Sequence, residues 1–204
     1  MSNRRCFGVL MALFVVLFAV LAVSPREPAT WAMENAVAAL FVIGLWATRR
    51  WFRFSRSAYL MMFSFLALHE IGAHYTYSHV PYDQTVHTLF GFSPDAVMGW
   101  QRNQYDRFLH LLYGLLLVLP LSELCREWGG LRRPAAALFA FTLILASSLL
   151  YELIEWGAAV ALGDGSTAFL GTQGDPWDAQ KDMALATVGA LASLVIAALA
   201  RRIR

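Results

Sequence analysis

Acidic and histidine side chains recur as pairs within or beside apolar stretches of this sequence. The members of each pair are three or four residues apart, so in a helix both side chains leave from the same face. Ionisable groups in apolar segments are costly to bury, and they usually face a protein interior, a partner or a water-filled cavity. We therefore take these pairs as the candidate site. They are Glu70 with His74, Asp106 with His110, Glu152 with Glu155, and Asp178 with Asp182.

Imidazole and carboxylate groups together are the ligands of Zn, Mn and Fe, and pairs on facing helices are how helical bundles build such sites. We expect six residues to hold a divalent metal, with Asp178 and Asp182 as further ligands or as partners of the ligands. The stretch HEIGAH is one residue longer than the zinc-peptidase motif HExxH, so that motif is not present. The six expected ligands are Glu70, His74, Asp106, His110, Glu152 and Glu155.

A hydrogen-bond network between helices is the alternative explanation for the same residues. Acids, histidines and aromatic residues near a membrane surface can bind one another, the backbone or lipid headgroups. Asp178 and Asp182 are in addition favoured near a helix N-terminus by the helix dipole. Arg107 and Lys181 could neutralise part of the acidic charge. The alternative stays open, although four pairs at one depth favour a site.

The composition indicates an integral membrane protein. Of the 204 residues, 58% are hydrophobic and 15% are charged, whereas ordinary soluble domains carry about 25% charged residues. The formal net charge is only +2, and no basic stripe alternates with aromatic residues, so nucleic acid is not an expected partner. Cys6 and Cys125 lie next to arginines on the side that we assign to the cytoplasm, where a disulfide is not expected.

Six apolar segments are long enough to cross a bilayer. They predict an all-α fold, with residues 1–204 forming one polytopic membrane domain of about six transmembrane helices. Twelve of the 16 basic residues flank the segments on one side, which the positive-inside rule assigns to the cytoplasm together with both termini. Glycines within the spans are expected to permit close helix packing. The spans are 7–23, 33–48, 57–75, 105–124, 134–161 and 182–200, and the glycines are Gly72, Gly114, Gly157 and Gly189.

The first apolar segment also has the features of a signal peptide, with a basic start, an apolar core and small residues near Ser24. Pro25 directly after Ser24 disfavours cleavage at that point. We expect residues 1–24 to be retained as a membrane helix. Cleavage would leave five spans in an otherwise unchanged topology.

The predicted topology brings all four pairs to the outer ends of their helices. At about 1.5 Å per residue, Glu70 lies roughly 10 Å below the outer surface of a hydrocarbon core of about 30 Å. The outer loops 76–104 and 162–177 adjoin these ends, and glycines in the second loop permit close backbone approach. Loops of this length are often binding loops or lids. The sequence thus predicts an acidic, histidine-bearing cavity that opens to the outer side.

Four stretches, in this order, resemble the YjdF-like family of bacterial inner-membrane proteins, a family of unknown function. The likeness extends over roughly residues 30–200. It implies a multi-pass protein of the bacterial inner membrane, and it brings no activity, substrate or cofactor with it. The stretches are HEIGAHYTYSHVP, YDRFLHLLYGLLL, YELIEWGAA and GTQGDPWDAQKDM.

Two classes of function fit these observations. In the first, a metal near the outer leaflet activates water or polarises an ester, amide or phosphate of a lipid-linked or headgroup substrate. Glu70, Glu152 or Glu155 would then act as general base. In the second, the protein is a sensor or transporter that binds an ion or ligand without catalysis. The inner halves of the spans are almost purely apolar, which argues against a conducting path. The lipid bilayer is the one partner that the sequence establishes.

Overall fold

The computed structural model describes residues 2–162 and 171–202. These residues form eight α-helices and contain no strand, so the prediction of an all-α fold is confirmed for them. The helices are α1 (Asn3–Leu21), α2 (Pro28–Thr48), α3 (Arg56–His74), α4 (Tyr82–Phe90), α5 (Pro94–Met98), α6 (Tyr105–Glu127), α7 (Arg133–Leu162) and α8 (Asp178–Arg202).

Five of the eight helices are long and apolar enough to cross a membrane, namely α1, α2, α6, α7 and α8. Helix α3 is not among them although it is 19 residues long. Its hydropathy is lowered by the polar side chains of His69, Glu70 and His74 near its end. The third predicted span, 57–75, is therefore the least apolar of the six, because three ionisable side chains lie near its end.

Three helices differ from the prediction: α2 begins earlier than expected, and α4 and α5 lie in a predicted loop. Helix α2 starts at Pro28, ahead of the predicted start at residue 33, since proline is well suited to the first turn of a helix. The predicted outer loop 76–104 contains α4 and α5. Hydrogen bonds of Asp83 and Ser93 connect these two helices. The Ser93 hydroxyl accepts a hydrogen bond from the backbone N–H of Ala96, and Asp83 accepts one from the N–H of Asp95 at 2.9 Å. This segment is thus partly helical.

Helix α6 is central in the bundle, where it packs against α3, α7 and α8. The starts of α1 and α3 lie beside the end of α6. Asn3 donates to the carbonyl oxygen of Phe54 at 3.0 Å, and the N–H of Ser55 donates to Glu123 at 2.5 Å. Near the start of α6, the Tyr105 hydroxyl donates to the carbonyl oxygen of Leu68 in α3 at 2.8 Å. We call the end of the bundle at which α6 and α8 begin the site end.

Helices α6 and α8 approach each other at backbone distance. A β-carbon at Gly114 would collide with the carbonyl oxygen of Ala186, and one at Gly189 would collide with that of Leu111. Only glycine permits this contact. The other two span glycines behave differently. Gly72 makes room for the ring of Tyr77, whereas a β-carbon at Gly157 meets nothing within 4 Å among the described residues, which contradicts the packing role expected for Gly157.

The contact between α6 and α8 predicts a selective effect of adding one methyl group. Gly114→Ala should lower the free energy of unfolding by about 1–3 kcal/mol, because the two backbones must separate. Gly8→Ala in α1 is the matched control, since a β-carbon there meets nothing within 4 Å and alanine favours a helix. Thermal unfolding of both variants in detergent measures the difference. Equal stability of the two variants would contradict the close contact.

Candidate functional site

Three side chains from α6 and α8 come together at the site end of the bundle. Asp106 and His110 lie one turn apart on α6, and Asp182 faces them from α8. One donor atom from each residue, a carboxylate oxygen or an imidazole nitrogen, lies within 4.8 Å of the other two. Asp182 is only 2% exposed. We call these three residues the Asp–His–Asp cluster.

The backbone contact between α6 and α8 places this cluster. The two helices run in the same direction, because residues at the start of α6 pair with Asp178 at the start of α8. His110 comes one turn before Gly114, and Asp182 comes one turn before Ala186. Since Gly114 and Ala186 touch, the imidazole and the carboxylate one turn earlier are held side by side.

Helix α7 adds a third carboxylate to the edge of the cluster. The Nε2 atom of His110 is 3.7 Å from Oε1 of Glu152 and 3.6 Å from Oδ1 of Asp106. Glu152 is 8% exposed. Its Oε1 atom and the Oδ1 atom of Asp182 find no hydrogen-bond partner within the described parts of the chain. Buried acceptors without a donor are rare in proteins, so these two oxygens require an explanation.

Glu155 and Asp178 complete the acidic pairs but lie outside the three-residue cluster. Glu155 lies one turn after Glu152 on α7 and is half-buried. Asp178 instead receives hydrogen bonds from Arg102 and Arg107, the latter at 3.2 Å. Its carboxylate is therefore neutralised within the protein. Of the two roles that the sequence left open for Asp178, a metal ligand or a partner of the ligands, these ion pairs favour the second.

An ion-pair layer made by Arg102, Arg107, Asp175, Asp178 and Lys181 lies above the cluster. Lys181 contacts Asp175 at 2.5 Å, and Arg107 pairs with Asp175 and Asp178. The hydrogen bond from Lys181, together with one from the backbone N–H at residue 177 and one from Arg107, lowers the pKa of Asp175 from 3.8 to about 2. These ion pairs hold the segment before α8 against the start of α6.

The chain just before α8 also approaches the cluster directly. Gly171 has a left-handed backbone with φ of 62°, and a β-carbon there would lie 3.3 Å from Oδ2 of Asp106. Arg102 donates to the carbonyl oxygens of Gly171 and Thr172 at 3.2 and 3.1 Å. The expected close backbone approach of a loop glycine is thus present at this position. The rest of that loop, residues 163–170, lies outside the described residues.

Helix α3 contributes neither of its predicted ligands to the Asp–His–Asp cluster. His74 is the last residue of α3, and its Nδ1 atom lies 2.7 Å from the carbonyl oxygen of Leu21, so its ring is engaged by α1. Glu70 is fully buried, and neither of its oxygens has a hydrogen-bond partner among the described residues. The shared face of Glu70 and His74 therefore does not make them joint ligands, because the helix end turns His74 towards a neighbouring helix.

Two polar contacts at the site end have no counterpart in the predicted pairs. The Tyr151 hydroxyl of α7 donates to Glu34 of α2, which is 3% exposed. Glu34 has no acid or histidine three or four residues away, so the spacing rule could not find it. The Tyr77 hydroxyl lies 2.5 Å from Nδ1 of His69, and Gly72 provides the space for the Tyr77 ring. In the sequence, the feature that indicates this contact is Gly72, which lies between His69 and Tyr77.

The sequence is similar to known membrane proteins over nearly its whole length. The family described as "Predicted membrane protein (DUF2238)" matches residues 7–203. The chain belongs to this family. The inner membrane protein YjdF of Escherichia coli (strain K12) is 36% identical over 177 residues, which are 86% of this chain and 81% of that protein. No solved structure matches. The predicted family and the predicted location in a bacterial inner membrane are confirmed.

The donor set of this DUF2238 protein suits a divalent cation. Two carboxylates and one imidazole are ligands for Zn, Mn or Fe, and three protein ligands leave a position open for water or substrate. With metal–ligand bonds of about 2.1 Å, neighbouring ligand atoms of a tetrahedral site lie about 3.4 Å apart. The three donor atoms lie within 4.8 Å of one another, so they would have to move closer together to bind one ion. The Asp–His–Asp cluster therefore has the residue types of a metal site.

The lowered pKa of Asp175 predicts how acid affects the ion-pair layer. A carboxyl whose pKa is lower in the folded protein stabilises it above pH 4, and this contribution disappears as pH falls towards 2. Asp175→Asn should therefore unfold at a lower temperature than the wild type at pH 7, and the difference should close between pH 4 and pH 2. Glu127→Gln is the control, because its pair with Arg126 is exposed. A difference that persists unchanged at pH 2 would refute this role.

Proposed function

We propose that this protein holds a divalent metal ion at Asp106, His110 and Asp182 and uses it to act on a lipid-linked or headgroup substrate. The observation that carries the proposal is the Asp–His–Asp cluster with two unpartnered buried carboxylate oxygens beside it. A cation satisfies such oxygens better than water does, since an ion also neutralises the charge that the acids would otherwise bury.

The proposed chemistry is hydrolysis assisted by the metal. A divalent ion lowers the pKa of a bound water and polarises an ester or phosphate oxygen of the substrate. Glu152 is placed to accept the proton of that water, because its Oε1 atom lies 3.7 Å from the imidazole of His110 without a partner of its own in the described structure. Glu155, one turn further on, would hold negative charge at the same edge.

The alternative function is binding of an ion without catalysis. Within this alternative, the structure supports binding over transport for the following reason. Beyond His110, helix α6 continues to Pro120 with apolar residues except for Tyr113. No carboxylate or histidine on that stretch continues the site towards the other end. The geometry therefore favours a site that opens at one surface over a path through the bundle.

The site is proposed to face the outer side of the inner membrane, with α3 as a sixth span. The distribution of arginines supports this, because the starts of α1 and α3 and the end of α6 form the basic end. In a variant without Cys6 and Cys125, a cysteine in place of His87 should react with a membrane-impermeant maleimide in intact spheroplasts. A cysteine in place of Arg50 should react only after lysis. The reverse pattern would invert the topology.

Metal binding is the most direct test of the proposed site. Purified wild-type protein should bind one Mn²⁺ by isothermal titration, and His110→Ala should weaken binding more than about tenfold, because one of three ligands is lost. His87→Ala is the matched control, since this histidine is exposed on α4. Both variants should unfold at similar temperatures without metal. Unchanged affinity in His110→Ala, or no binding by the wild type, would exclude the proposed site.

A further inference from the structure

A groove of about 600 Å³ leads from the cluster along the bundle. Helices α2, α3, α6 and α7 supply its walls. At the site end the walls are polar and include His69, Tyr77, Asp106, His110 and Tyr151. Further along they are almost entirely apolar. The groove therefore has the polarity of a molecule with one polar end and a long apolar tail.

The groove is longer than one leaflet of a membrane. Its lining runs along α6 from Asp106 to Leu124, which is about 27 Å at 1.5 Å per residue. One leaflet contributes only about 15 Å of hydrocarbon, half of a core of about 30 Å. The acyl chains of an ordinary phospholipid end near the middle of the bilayer. A tail that fills this groove must continue past that point.

The groove opens sideways between α2 and α7. Leu40 and Phe41 of α2 and Leu143 of α7 line it, and these side chains are 71%, 36% and 43% exposed. At the site end the two helices are joined by the hydrogen bond from Tyr151 to Glu34. In the described residues α2 packs against α3 and makes no extensive contact with α7. A lipid tail can therefore enter from the surrounding bilayer without passing through water.

We infer that the groove binds the tail of a long-chain polyprenyl phosphate, with the phosphate at the Asp–His–Asp cluster. One groove accepts one tail, and its length requires a chain that crosses the middle of the bilayer. Phosphate oxygens bind divalent cations well, whereas the carboxylates of a metal-free cluster would repel them. The position of the head therefore rests on the proposed metal site, and the position of the tail does not.

An apolar helix from a second copy of the chain is the other occupant that fits a groove in a membrane. Such a helix would leave the polar residues at the site end, such as His110 and Tyr151, without a matching group. An amphiphilic lipid matches both parts of the lining. The two occupants differ in the mass of the complex, so one measurement distinguishes them.

The test fills the groove without disturbing the backbone. Gly44 lines the groove on α2, and a β-carbon there meets nothing within 4 Å, so Gly44→Trp projects an indole into the groove. Gly8→Trp on α1 is the matched control, because a β-carbon at Gly8 also meets nothing within 4 Å and Gly8 lies outside the groove. Native mass spectrometry of the full chain with Mn²⁺ would measure binding of a long-chain polyprenyl phosphate and of a two-tailed phosphatidic acid.

The wild type and Gly8→Trp should prefer the polyprenyl phosphate at least tenfold, and Gly44→Trp should bind it at least tenfold more weakly. Undiminished binding by Gly44→Trp, equal binding of phosphatidic acid, or no binding by the wild type would overturn the inference. A wild-type dimer that Gly44→Trp dissociates would overturn it in favour of a second copy. Mn²⁺ titration of Gly44→Trp separates the two proposals, because a filled groove leaves the metal ligands intact. If the wild type binds the lipid but no Mn²⁺, the proposed function is contradicted, whereas the inference that a lipid tail occupies the groove is upheld.

Discussion

Helices α6 and α8 touch through Gly114 and Gly189, and the position of the Asp–His–Asp cluster follows from that contact. With no side chain between the backbones, the residues one turn earlier, His110 and Asp182, are brought to the range of a shared ligand. A bulkier residue at either glycine would force the two backbones apart. The contact lies in apolar surroundings, where lipid offers no hydrophobic drive to helix association and close packing must supply the stability.

Charge at the site end is divided between two layers. Arg102 and Arg107 neutralise Asp175 and Asp178 above the cluster, and these pairs hold the start of α8 in place. The acids below them have no such cations in the described structure. Negative charge on these acids would require a further positive group, whereas protonation would remove it, since an unpaired buried charge is strongly unfavourable. The contrast between a paired layer and an unpaired one is the observation behind the proposed metal ion.

The three- or four-residue spacing indicated neighbouring side chains where both residues lie within a helix that packs in the centre of the bundle. Asp106 and His110 are an example, because one turn of α6 fixes both on the face towards α8. Spacing failed for His74, where the helix ends and the ring bonds to α1 instead. It was silent on Glu34, a single acid whose partner, Tyr151, belongs to a distant helix. Such contacts depend on which helices are neighbours, and a sequence periodicity carries no information about that.

Pulsed electron paramagnetic resonance of the Mn²⁺-loaded protein would identify the nitrogen atoms that are bonded to the ion. The wild type should show one directly coordinated imidazole nitrogen, which should be lost in His110→Ala and retained in His69→Ala and His74→Ala. A nitrogen signal that survives in His110→Ala, or Mn²⁺ bound with no imidazole at all, would contradict a metal ion held between α6 and α8.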